Sequence, residues 1–260
     1  MSLRGPEQEL PAGSGTEPTA VSAFYDEYWS EGGRPQIPTP PPAVARLMHA
    51  RITPGSRVLD VGCGNGQAGG LPLRAMGCQY IGVDVSATAL ASARALGLDV
   101  CQITDGTALP FPNNSFDAVV SMEVVEHLMF PLPTVIEMMR VLKPGGILLI
   151  TTPNVVYWRR RADLLVGRWN PFGYPDAVAR PWADPHIRFF SVGALRRMLG
   201  EAGCVEVEVR GHGGSFLADL PRIGKRFRKP EGSTAYRLLE GRSPSVFGCF
   251  LNAVGRKLGP

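Results

Sequence analysis

The chain has 260 residues, 44% of them hydrophobic and 19% charged, with a formal charge of +4. That length fits one substantial domain with appended segments, or at most two small domains. The composition excludes disordered, fibrous and membrane-embedded classes, and no apolar run is long enough to cross a bilayer.

Residues 1–20 are rich in Gly, Pro, Glu and Ser, have no apolar signal core and read as a disordered leader. Order is expected to begin near Val21–Trp29, where several aromatics share a helical face, a cluster that serves packing or ligand contact. Pro38 to Pro42 is a stiff spacer, and Ala43–Arg51 has helical spacing. Val58, Leu59 and Val61 form a short buried-strand pattern that breaks into Gly62, Gly64 and Gly66. A helix over Gln67–Met76 follows, its start disturbed by Gly69, Gly70 and Pro72. Tyr80–Val83 is a second strand ending at Asp84, then a helix spans Ala87–Leu96 with Ser86 or Thr88 near its N-cap. Val100–Ile103 and Asp117–Ser121 read as the third and fourth strands. Thr134–Leu142 is an amphipathic helix, Lys143–Gly146 a turn by composition, and Ile147–Thr151 the fifth strand. Val192–Glu201 is helical, Val205, Val207 and Val209 alternate as a strand, and Val246–Val254 reads as the last one.

Strands alternating with helices at this pace predict an α/β fold, a mostly parallel doubly wound sheet with helices on both faces. Ligands then bind beyond the carboxyl ends of the strands, near the switch in strand order. The glycines after the first strand suit a ligand lying against bare backbone. Asp60 places a carboxylate at the mouth of that loop, where it would repel a phosphate and favour a positive centre. Asp84 is suited to chelating a ribose diol, or to capping the following helix. Asp105 with Gly106 is suited to an adenine edge, or to a simple turn. A dinucleotide fingerprint starting at Gly62 would need glycine where Gln67 stands, so it fails. Five scattered cysteines, Cys63, Cys78, Cys101, Cys204 and Cys249, lack metal-type spacing and argue for a reducing, cytoplasmic setting.

The segments VLDVGCGNG, IGVDVS, DGTALPFPNNSFDAVVSMEVVEHL and RVLKPGGILLITTPN, with HIRFFSVGALRRMLGEAG later, resemble the class I S-adenosylmethionine-dependent methyltransferases. Within them the chain is similar to the group of ubiquinone-pathway O-methyltransferases and tailoring enzymes. The resemblance implies a Rossmann-like seven-stranded sheet in a single domain over 21–260, with a cofactor core near 43–154, an acceptor cap near 155–188 and C-terminal elements over 189–260. It assigns Asp60, Gly62, Gly64 and Gly66 to the methionine part of S-adenosylmethionine, Asp84 to the ribose, and Asp105 with Gly106 to the adenine. The backbone at Met122 and Glu123 would flank the sulfonium.

Methyl transfer is an in-line displacement, helped by alignment and by a nearby base. His127 is the expected base, with Glu126 and His186 as further catalytic candidates. Glu123-x-x-Glu126-His127 also looks like a metal-binding motif of small-RNA 2′-O-methyltransferases, with His186 as the later ligand; a metal is not the expectation here. The basic and aromatic residues over 155–188, among them Trp158, Arg160, Trp169 and Trp182, are read as a cap for a small-molecule, sugar or lipid-linked acceptor, or as packed tryptophans and solvated arginines. Nucleic acid is not expected as the partner. Arg222, Lys225, Arg226, Arg228 and Lys229 offer a peripheral membrane contact or a solvated loop. The readings from other classes are a metal-assisted RNA-end 2′-O-methyltransferase and a non-catalytic cofactor-binding module.

Overall fold

A computed structural model of the protein describes residues 19–30, 40–167, 185–213 and 242–259. Residues 1–18 of the expected leader, the cap residues Trp169 and Trp182 and the basic 222–229 stretch lie outside the described residues, while Ala20, the leader's last residue, already opens a helix. The chain begins with α1 (Ala20–Ser30) and α2 (Pro42–Arg51). Then come β1 (Arg57–Val61), α3 (Gly70–Ala75), β2 (Gln79–Asp84), α4 (Ala87–Ala95), β3 (Val100–Gln102) and β4 (Phe116–Met122). A single 3₁₀ turn at Val125–His127 leads to α5 (Pro131–Val141), β5 (Leu142–Pro153) and α6 (Trp158–Leu165). The chain ends through α7 (Val192–Glu201), β6 (Cys204–His212), α8 (Pro244–Phe247) and β7 (Phe250–Lys257).

The seven strands form one sheet in the order β3-β2-β1-β4-β5-β7-β6. β1 pairs in parallel with both β2 and β4, so the switch in strand order falls between β1 and β4. β7 inserts antiparallel between β5 and β6. Alternation along each strand builds two cores. Leu59, Val61, Val119, Leu148 and Ile150 face α5 and α7 on one side. Val58, Tyr80, Val120 and Leu149 face α2, α3 and α4 on the other. Burial on both faces explains why these strands read as near-continuous apolar runs.

Three expectations differ from the structure. The helix expected over Gln67–Met76 is formed only over Gly70–Ala75. Gly66, at φ +74, and the residues after it belong to the ligand loop instead. The Lys143–Gly146 turn is a bulge inside β5: Leu142 pairs with Phe116 and Ile147 with Ala118, four residues being looped out between them. The last strand starts at Phe250 rather than Val246, because Pro244 opens a helical turn and Gly248 packs backbone to backbone against Gly211. A Cβ at Gly248 would meet the Gly211 Cα at 2.4 Å, and only glycine permits that approach.

Candidate active site

The candidate site lies beyond the carboxyl ends of β1, β2, β4 and β5. Gly62 and Gly64 leave β1 at φ +76 and +53. Gly62 and Cys63 both donate their backbone N–H to the Val83 carbonyl, at 2.8 and 3.0 Å, which ties the loop to β2. A side chain at Gly62 would collide with Val124, and one at Gly64 with Trp29 of α1. The glycines are therefore required by close approach as well as by φ.

Asp60 is 1% exposed and points to the α3 face, where the Tyr80 hydroxyl donates to its Oδ2 at 3.1 Å. Burial pushes its pKa up to about 7, with the Asp84 charge adding and the Tyr80 bond opposing. Gly69 stands against it: a Cβ there would lie 2.2 Å from the Asp60 Oδ2 and 2.7 Å from the Met122 Cε, so Asp60, Gly69 and Met122 share one space. The sequence presents Gly69 merely as a helix breaker.

Asp84 ends β2 and is buried. Its Oδ2 accepts the Gly64 N–H at 2.8 Å and its Oδ1 the Ser86 N–H at 2.9 Å. Burial raises its pKa despite these bonds. Helix α4 is capped by Ser86, whose hydroxyl oxygen accepts the Ala89 N–H at 3.1 Å. Asp84 is thus the strut between the glycine loop and α4, and each oxygen retains a second acceptor site. Asp105 closes its own turn, its Oδ1 accepting from the Thr107 N–H at 2.7 Å and hydroxyl at 2.5 Å, and Gly106 packs against Thr134 of α5.

A second group of carboxylates follows β4. Glu123 has φ +55, a strained setting for a side-chain-bearing residue. Its N–H bonds the Thr151 carbonyl at 3.0 Å, and its Oε1 accepts the Thr151 hydroxyl at 2.7 Å. Burial pushes its pKa up to about 7 against the Thr151 bond and the pull of the Arg160 charge. Arg160 is buried rather than solvated, its Nη1 donating to the Asn154 carbonyl at 2.6 Å. Glu126 is 1% exposed; its Oε2 accepts from the Thr152 hydroxyl at 3.0 Å, while its Oε1 has no hydrogen-bond partner among the described residues. Burial and then the Glu123 charge hold its pKa well above the carboxylate range. The His127 Nε2 lies 3.9 Å from that Oε1, and the His127 Nδ1 is 3.2 Å from the Pro185 carbonyl. A carbonyl can only accept, so the neutral ring carries its proton on Nδ1 and its lone pair on Nε2. The His186 ring sits 4.5 Å from the His127 ring. Ligand atoms of Glu126, His127 and His186 all lie within 4.8 Å of one another. Glu123, which the metal motif would include, is turned to Thr151 instead.

Residues 59–150 match the family described as "Methyltransferase domain". That stretch is a methyltransferase domain, similar to those of the S-adenosylmethionine-dependent methyltransferases. The chain is 33% identical over 175 residues to a probable S-adenosylmethionine-dependent methyltransferase of Mycolicibacterium smegmatis, a match covering 66% of this chain and 65% of that protein. It is 33% identical over 167 residues to a ubiquinone biosynthesis O-methyltransferase of Dinoroseobacter shibae, covering 60% of this chain and 63% of that protein. Each match thus spans under two thirds of the relative's own length. A solved structure of phosphoethanolamine N-methyltransferase 2 from Haemonchus contortus, in complex with phosphomonomethylethanolamine and S-adenosylhomocysteine, shares the fold. Its TM-score is 0.60 at 18% identity, covering 92% of this chain and 60% of that one. Among the described residues no helix is long and apolar enough to cross a membrane.

Proposed function

We propose that the protein transfers the methyl group of S-adenosylmethionine to an oxygen of a small-molecule or glycan- or lipid-linked acceptor. One observation carries the donor side: Asp60, Asp84, Glu123 and Glu126 are four carboxylates whose pKa values burial raises at the ends of adjoining strands. Burying so much potential negative charge is unfavourable until a cation compensates it. The ammonium and sulfonium of the donor suit that need, and the side-chain-free loop at Gly62 and Gly64 suits a ligand laid on backbone. In this reading Asp60 and the glycines hold the methionine part, Asp84 the ribose, Asp105 with Gly106 the adenine, and Met122 with Glu123 the sulfonium side.

When bound, the donor supplies an electrophilic methyl carbon to an acceptor aligned behind it. His127 supplies the base through Nε2, with Pro185 holding the Nδ1 proton in place. Glu126 faces the ring, where its carboxyl, once ionised, favours the imidazolium that forms. His186 packs on the same ring. The rim beside His127 is apolar: Met129, Phe130, Ile187 and Phe189 are exposed. Their two segments are joined by the Glu126 carbonyl, which accepts from the Ile187 and Arg188 N–H groups at 3.0 and 2.9 Å. That rim suits an acceptor with an apolar portion, and the ubiquinone-pathway name of one relative points the same way. Calorimetric titration should show Asp84→Ala weakening donor binding by about 2 kcal/mol; unchanged affinity excludes the ribose role. Mass spectrometry of a native extract incubated with methyl-labelled donor should show one labelled acceptor. Donor binding without any labelled product favours a non-catalytic module.

A second reading, a metal-assisted enzyme such as an RNA-end 2′-O-methyltransferase, is favoured by one feature. Glu126, His127 and His186 converge, and the buried Glu126 Oε1 has no hydrogen-bond partner among the described residues. A carboxylate with two imidazoles fits Zn²⁺ or Mn²⁺, and a bound divalent ion lowers the pKa of a hydroxyl it holds. Activity that is lost on exhaustive chelation and restored by one divalent ion supports this reading; activity that survives chelation excludes it.

A further inference from the structure

We propose that helix α1 is part of the donor site: Tyr25 and Trp29 form an aromatic wall over the donor's cationic end, and Asp26 is the latch that holds the wall in place. The proposal rests on the donor reading above. Ser22, Tyr25, Asp26 and Trp29 recur at helical spacing and so share one face of α1. That single face meets three stations of the site. Trp29 covers the glycine loop so closely that a Cβ at Gly64 would lie 2.6 Å from its Cζ2. Asp26 reaches the N-terminus of α4, its Oδ1 accepting the Ser86 hydroxyl at 2.7 Å and the Thr88 N–H at 3.0 Å. Tyr25 lies edge-on to His127 with ring centres 6.3 Å apart. Burial raises the Tyr25 phenol pKa, and the charges of Tyr28, Asp84 and Glu126 add to it, so this ring stands in the field of both the ribose carboxylate and the His127 group.

Simple packing accounts poorly for this helix. Of its eleven residues only Ser22 is buried, while Val21 and Phe24 are 55% and 44% exposed. A helix held for its apolar content would bury those two side chains first. Instead it turns a carboxylate and two aromatic rings toward backbone, carboxylates and an imidazole. Aromatic faces attract cations, so Tyr25 and Trp29 complement the carboxylates that meet the donor from the strand side. Asp26 acts differently. It touches no station where the donor lies, but anchors α1 to the helix that follows the ribose carboxylate.

The full-length protein titrated with S-adenosylmethionine tests this directly. Tryptophan emission should change on saturation, and the change should vanish in Trp29→Phe while calorimetry still detects donor binding. Asp26→Ala should release the donor about tenfold faster in stopped-flow measurements, because the wall is no longer held shut. A purely structural latch would lower the melting temperature of the donor-free protein and leave the release rate at its wild-type value, which overturns the proposal. Binding heat with an unmoved Trp29 signal overturns it as well, and leaves the donor reading standing. Absence of binding heat in the wild type overturns both.

Discussion

Asp60 shows how one residue is set by opposing demands. Its carboxyl is buried beside Tyr80 and near a second carboxylate, and its pKa is about 7 against an ordinary 3.8. A group raised this way keeps its proton longer in the folded protein than in the unfolded chain. Its stabilising contribution is complete below the ordinary value and is lost as pH climbs from 3.8 through about 7. Asp60→Asn keeps the shape and removes the titration. The variant should melt higher than the wild type above pH 7, by a margin that narrows at pH 5 and closes below about pH 4, and should bind the donor more weakly at pH 7 and pH 5 alike. Thermal melting across that range checks the first claim, and an equal melting difference at both pH values excludes it. Asp60, Asp84 and His127 could be singled out in the sequence because each lies at or just beyond the end of a strand. Tyr80, Arg160 and Thr151 could not, since their partners Asp60, Asn154 and Glu123 meet them only through sheet register and chain reversal. Arg160 reads as one of three consecutive surface arginines, yet it is the one that turns inward.

The elements that were easiest to read are those buried on both sides. β1, β2 and β4 lie within a residue or two of the expected spans, and α7 matches its span outright, because their periodicity reflects the two cores. Elements whose limits depend on partners were read less well. Helix α5 begins at Pro131, a turn before its amphipathic pattern, because proline is tolerated in a first turn. What α5 does for its neighbour was also hidden. Arg140 donates to the carbonyls of Phe111 at 2.9 Å and Leu109 at 3.0 Å, and pairs with Glu137 at 2.7 Å. Glu137 in turn accepts the Leu109 N–H at 2.8 Å. This fork pins the loop between β3 and β4, just after the proposed adenine residues. Lysine keeps the charge but cannot fork. Arg140→Lys should cost about 2 kcal/mol of stability, read as a lower denaturation midpoint with unchanged slope, and should speed hydrogen exchange over residues 109–113. Protection there equal to wild type would show that the loop does not need the fork.

At the scale of the whole molecule, the parallel strands all end in one place, and four of those ends or the turns just beyond them carry an acidic side chain. The sheet therefore gathers charge that no single strand carries. With Asp60 and Glu123 both near 7, these two carboxyls are mostly protonated at pH 6 and mostly ionised at pH 8. Ionisation leaves buried negative charge that destabilises the donor-free fold and strengthens its attraction for a cation. Donor binding and stability are thus linked through the same protons. The rise in melting temperature produced by saturating S-adenosylmethionine should be larger at pH 8 than at pH 6. S-adenosylhomocysteine keeps the ammonium but lacks the sulfonium charge, so its rise should change less between the two pH values. Equal pH dependence for the two ligands would mean that the carboxylates after β4 do not sense the sulfonium, and Glu123 would then lose its place beside the transferred methyl. A larger dependence for S-adenosylmethionine would assign the sulfonium to the Glu123 side of the sheet, with the dependence common to both ligands left to Asp60 and the ammonium.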